Sequence, residues 1–132
     1  MTRFWITLEE GVKFVIQCLE QMKGGEIFVP KIPSVKIMDL ARAIAPKAQI
    51  RIVGIRNGEK LHEFLINRDE ARFTKDVGKH FIIEPEFVSW EKRDYANPHK
   101  GNYVEDDFFY ASNSNNEWLT IPQIKQLLED FL

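Results

Sequence analysis

The chain has 132 residues, 44% of them apolar, and eighteen Lys and Arg stand against twenty Asp and Glu for a net charge of -2. That length suits one domain, residues 1–132, with a real core, and the near balance of charge excludes a nucleic-acid binder driven by bulk charge. Ten Phe, three Trp and three Tyr argue against disorder, while the single cysteine, Cys18, excludes an intrachain disulfide and a cysteine-rich zinc site.

In chain order, Thr7 and Glu10 form a capping box that starts a helix. Leu8, Val12, Val15, Leu19 and Met22 then recur at helical spacing, which predicts one buried apolar stripe with an inert Cys18 beside it. Gly24-Gly25 ends this helix. Glu26 to Val29 reads as a strand stopped by Pro30, and Lys31 to Lys36 as a proline-punctuated connection. Ile37, Leu40, Ala41 and Ile44 predict a second amphipathic helix closed by Pro46, and Gln49 to Ile55 a strand. A helix between two strands is the βαβ pattern, so a parallel pair is expected. Arg56 to Glu59 is a turn, and Lys60 to Phe64 a short helical segment. Asn67 to Gly78 is ambiguous, His80 to Ile83 is a strand, and 91–107 reads as an irregular excursion or mobile loop. Phe108 to Ala111 reads as a strand and Ser112 to Asn116 as a polar turn. Thr120 and Gln123 cap a final helix whose buried face is Ile121, Ile124, Leu127, Leu128 and Phe131.

The absence of a long apolar run or signal-peptide core predicts a cytoplasmic chain with no membrane span. No glycine-rich dinucleotide loop, P-loop or nucleophile elbow appears. His62, His80 and His99 are far apart in sequence and read as surface or loop histidines rather than metal ligands. No catalytic set is complete. The one positive signal is the junction from Ile52 to Glu63. At the end of a parallel strand, Arg56 offers a fork suited to a diphosphate, and Glu59, across a Gly-containing turn, can accept from sugar hydroxyls. On spacing alone a plain surface Arg–Glu pair, worth under about 1 kcal/mol, remains the competing reading. Arg3, just ahead of the first helix, is a second cation whose plain reading is packing on Trp5 or simple exposure.

Three blocks carry a family resemblance: Met1-Thr2-Arg3-Phe4-Trp5-Ile6-Thr7-Leu8, Gly24-Gly25-Glu26-Ile27-Phe28-Val29-Pro30-Lys31-Ile32-Pro33-Ser34, and Gly54-Ile55-Arg56-Asn57-Gly58-Glu59-Lys60-Leu61-His62-Glu63. With the tail from Tyr110 to Leu119, they resemble the inverting UDP-N-acetylglucosamine 4,6-dehydratases of the extended short-chain dehydrogenase/reductases. The resemblance implies a mixed α/β substrate-binding lobe, the C-terminal portion of an enzyme that uses NADP to dehydrate UDP-GlcNAc for surface-polysaccharide or flagellin-glycan synthesis. It assigns Arg56 to the UDP diphosphate, Glu59 to the uridine ribose and Arg3 to the same phosphates. Asn57 replaces the family's usual proline, forgoing about 0.4–1 kcal/mol of pre-organisation. The family's glycine-rich loop and Tyr-x-x-x-Lys pair are missing, and the Rossmann part lies N-terminal to the block where this sequence begins. The chain alone is therefore expected to bind UDP-sugar without turnover, holding no cofactor or metal and containing no catalytic residue. A competing reading makes it an assembly module that completes a separate Rossmann-containing subunit, and a homo-oligomer is compatible with either. An unrelated enzyme using His62 with Glu59 or Glu63 would lack a positioned nucleophile.

Overall fold

The computed structural model describes residues 1–85 and 99–129. Its elements run β1 (Thr2–Phe4), α1 (Leu8–Gln21), β2 (Ile27–Pro30), β3 (Ser34–Lys36), α2 (Ile37–Ile44), β4 (Phe64–Ile66), α3 (Arg68–Ala71), β5 (Thr74–Asp76), β6 (His80–Ile83), β7 (Asn102–Tyr103), β8 (Tyr110–Ala111) and α4 (Ile121–Glu129). The class is mixed α/β, as expected. The chain divides into two compact units: Met1–Trp5, Ile32–Phe64 and Ala111–Leu132 form the first, Ile6–Lys31 and Leu65–Tyr110 the second.

In the first unit β1 pairs antiparallel with β3, Arg3 opposite Val35. Neither strand was legible in the sequence, because three-residue strands carry too little alternation to detect. Val35, Ala43 of α2 and Ile124 of α4 form the buried centre, with Trp5, Leu40, Leu119, Ile121 and Leu128 packed around it. Gln123 caps α4 as expected, its Oε1 accepting from the Thr120 N–H at 2.9 Å and hydroxyl at 2.7 Å. Phe131 lies outside the described residues.

Two expectations fail here. Gln49 to Ile55 forms no strand, and the helical segment at Lys60 to Phe64 is absent; Phe64 instead begins β4. Ile52 is 84% and Val53 74% exposed, so both faces of the segment meet solvent. Apolar alternation makes a strand only where a neighbour accepts its backbone hydrogen bonds. The parallel βαβ unit is accordingly not formed: β3, which leads into α2, pairs antiparallel with β1.

The second unit is built on a four-stranded sheet in the order β2-β6-β5-β7, antiparallel throughout. The ambiguous stretch resolves into α3, with an Asn67–Glu70 capping box, and β5. Of the excursion expected at 91–107, residues 91–98 lie outside the described residues, and Asn102–Tyr103 form the edge strand β7. Gly101 permits this close approach, since a Cβ there would stand 2.7 Å from the Asp76 carbonyl oxygen. One sheet face carries Phe28, Pro30, His80 and Ile82; the other carries Val29 and Phe81, whose ring packs on Phe108 and Tyr110 at 5.2 and 5.3 Å. β4 and β8 form a further two-stranded sheet.

The histidine reading also needs correction. His80 is buried in β6 with its ring 5.6 Å from Phe14 and 5.7 Å from Phe28, and among the described residues its Nε2 has no hydrogen-bond partner. Burial, then the charges of His99 and Lys31, lower its pKa below the usual imidazole range. His99 Nε2 meets Glu26 Oε1 at 2.9 Å, with both side chains at least nine-tenths buried. Burial opposes the Glu26 charge, but His99 and the backbone N–H groups of Lys23 and Gly24 hold its carboxyl below the usual carboxylate range. Sequence spacing cannot reveal such a pair, because 73 residues separate its members.

The first helix follows its capping signals, running from the Thr7 N-cap with the full Thr7–Glu10 box to a C-cap at Met22. Its inner face is different from the one expected. Gly11, Phe14 and Cys18 are the half-buried positions, while Leu8, Val12, Val15, Leu19 and Met22 are all more than half exposed.

Candidate functional site

The turn at Arg56 is closed twice. Glu59 N–H donates to the Arg56 carbonyl at 3.1 Å, and Glu59 Oε2 accepts from the Arg56 backbone N–H at 2.9 Å. Gly58, at φ 84°, supplies the left-handed residue that this bend requires. The Glu59 carboxylate is thus oriented by backbone rather than by the guanidinium beside it. Among the described residues the Arg56 guanidinium has no hydrogen-bond or ion-pair partner, and both side chains are exposed. The structure brings Arg56 and Glu59 together in one exposed turn, without the plain Arg–Glu ion pair.

Arg3 is used differently. Its Nη1 donates to the Thr2 carbonyl at 2.7 Å and its Nη2 to the Lys60 carbonyl at 3.0 Å, while Nε stands 3.4 Å from Glu63 Oε1. These contacts tie β1 to the segment that leaves the turn. It neither stacks as a free cation on Trp5 nor stands as a simple surface charge.

Behind Arg3 lies a buried polar group that local sequence does not announce. Thr2 Oγ1 is 2.7 Å from His62 Nδ1 and 2.7 Å from Ser112 Oγ, and Ser112 Oγ accepts from the Glu63 N–H at 2.9 Å. One donor order satisfies every member: Ser112 O–H to Thr2, Thr2 O–H to His62 Nδ1, and the His62 proton on Nε2. Thr2 N–H to Leu61 O at 2.9 Å and Ser112 N–H to Glu63 O at 2.8 Å complete the clamp. Thr2 is 7% exposed and Ser112 not at all, so this network holds residues 61–63 with its polar atoms paired. Thr2 and Ser112 are 110 residues apart, which is why only the folded chain shows them as one device.

An NADP cradle does not fit these residues. α1 follows β1 through Trp5-Ile6-Thr7 and α2 follows β3 directly, so neither helix start offers the glycine-rich approach that a pyrophosphate needs. Among the described residues no group of three His, Cys, Asp or Glu side chains could hold a metal ion. No helix among them is long and apolar enough to cross a membrane.

Comparisons with known proteins agree with the residue blocks. The chain is 46% identical over 132 residues to a UDP-N-acetylglucosamine 4,6-dehydratase (inverting) of Campylobacter jejuni, covering 97% of this chain and 40% of that protein. It is 31% identical to a UDP-glucose 4-epimerase of Rickettsia canadensis, covering 97% of this chain and 38% of the relative. Among solved structures, Pen from Bacillus thuringiensis shares the fold with a TM-score of 0.75 at 23% identity, over 98% of this chain and 37% of that one. The chain thus spans about two-fifths of the length of the curated relatives it matches. Residues 1–85 match the family model described as polysaccharide biosynthesis protein, and the chain belongs to that family, with its likeness to the inverting dehydratases running through nearly all of its length.

Proposed function

We propose that this chain is the UDP-sugar-binding part of a nucleotide-sugar dehydratase in polysaccharide biosynthesis, with Arg56 on the diphosphate and Glu59 on the ribose. The observation that carries the reading is the unpartnered Arg56 guanidinium on a turn whose carboxylate is already oriented by backbone. A free fork can donate two parallel bonds to phosphate oxygens without first breaking an internal ion pair. The relatives add a second argument. One is named a dehydratase and another an epimerase, so the shared element of their names is the UDP-sugar rather than the reaction. In this reading Arg3 supports the site by holding the Lys60 carbonyl, since its donors are already engaged.

Calorimetric titration of the chain with UDP tests the assignment. Arg56→Ala should weaken binding by about 1.5–3 kcal/mol, the cost of a lost charge-assisted bond, and an unchanged isotherm would refute the role. The chain alone supplies binding and position but no general base and no cofactor site. A dehydratase assay on it with NADP and UDP-GlcNAc should show no turnover, and measurable product would overturn this part of the reading.

A further inference from the structure

In the second unit, the β5–β6 hairpin and the segment leading into β7 close around a cleft of about 400 Å³. Val77, Lys79, His80 and Ile82 of the hairpin line it, with His99 and Lys100 from that segment. Gln21, at the end of α1, adds an amide. Local chain geometry explains why these groups meet. Val77 N–H donates to the His80 carbonyl at 3.1 Å and Gly78 takes φ 92°, which places Lys79 in a tight turn. Gly101 brings in the other wall, since a Cβ there would stand 2.7 Å from the Asp76 carbonyl oxygen and 2.9 Å from Val77 Cγ1. His99 and Lys100, the two residues before it, are thereby set against the turn.

The cleft is short of negative charge. Among the described residues no Asp or Glu lines it. Acids on the flanking strands are already engaged: Glu26 with His99 at 2.9 Å, Asp76 with Lys31 at 2.7 Å and the Gly78 N–H at 2.8 Å, and Glu84 with Lys75 at 2.8 Å. By contrast, the Lys79 and Lys100 ammonium groups have no hydrogen-bond or ion-pair partner among the described residues. His80 is 8% exposed, and its Nε2 is likewise unpaired among those residues. A buried polar atom left without a partner is costly and rare, so it calls for one. His99 and Lys31 add to burial in depressing the His80 pKa, the direction that surplus positive charge imposes.

We propose that this cleft binds a small phosphate-class oxyanion, held by Lys79 and Lys100 with His80 and the Gln21 amide as further polar groups on its wall. Two cations match a dianion, whereas a single carboxylate would leave one of them unpaired. Two free cations around so small a cleft do not make the basic track that a nucleic-acid backbone needs. Val77 and Ile82 offer an apolar strip to the carbon part of an ester. The proposal does not rest on UDP-sugar binding at Arg56.

NMR of the chain at constant pH, following the ring C–H signals of His62, His80 and His99, reads the site directly. Inorganic phosphate is titrated against sodium chloride of equal ionic strength. Phosphate should shift the His80 and His99 signals saturably and leave in place that of His62, which does not line the cleft. Lys79→Ala/Lys100→Ala, a double substitution at exposed positions, should weaken this binding at least about tenfold, as loss of a charge-assisted contact requires. Glycerol 3-phosphate separates the two sources of the group. An affinity no greater than that of phosphate assigns the free ion, and a tighter one assigns an ester seated on Val77 and Ile82. Chloride reproducing the shifts, acetate binding as tightly as phosphate, or a titration unchanged in the double variant overturns the proposal. Arg56→Ala should leave the phosphate titration unaltered, so this proposal and the UDP-sugar reading fail separately.

Discussion

α1 and α4 look alike in sequence and differ in the fold. Each begins with a threonine that pairs with an acid or amide three residues on, and each has an apolar stripe at helical spacing. The α4 stripe meets α2 and β3, and Ile124 is completely buried in a centre shared with Val35 and Ala43. The α1 stripe stays more than half exposed at every position, and the helix turns inward instead a narrower face through Phe14 and Cys18. An apolar pattern therefore states that a surface is to be covered, and leaves open what covers it. In a polypeptide that matches only two-fifths of its relatives, those two questions separate.

A graded set of truncations would break or sharpen this contrast. Ile124→Ala empties a fully buried site and should cost about 2–5 kcal/mol. Phe14→Ala removes a half-buried anchor and should cost less, about 1–3 kcal/mol. Leu19→Ala, on the exposed face, should stay within about 0.5 kcal/mol. Urea unfolding of the three variants measures the order directly, and an α1 stripe as costly to truncate as Ile124 would show that the chain covers it unaided.

The smallest effect concerns the ring beneath α1. His80 has its pKa lowered from 6.5 in the fold, so the unfolded chain takes up a proton at a higher pH than the folded chain does. Stability is then fullest above that value and declines as pH falls below it. Glu26, held below the usual carboxylate range, adds a further loss at lower pH in the same direction. Denaturation midpoints between neutral and mildly acidic pH should fall, and His80→Phe should flatten the upper part of the curve. An unchanged slope in that variant would remove His80 as its source.

Much of the candidate site was legible because it is local. Arg56, Gly58 and Glu59 lie within four residues and read as a turn, while the fold of the Glu59 carboxylate back onto the Arg56 N–H shows only in the structure. The support was not legible, since Thr2, His62 and Ser112 meet across 60 and 110 residues. Arg3 was recognised as a relevant cation, but its engagement with the Thr2 and Lys60 carbonyls depends on where β1 lies.

The same division holds for the whole chain. Caps, turns, the span of α1, α2 and α4 and the strand at His80–Ile83 follow from residues a few positions apart, where backbone geometry and periodicity act without outside help. Tertiary structure decided which stripe of α1 faces inward, that Gln49–Ile55 stays unpaired, that the ladders flanking β6 run antiparallel, and that His80 and His99 are buried. Each of those outcomes depends on a partner far away in sequence. A hydrogen bond or an apolar contact has no direction until its second member is in place.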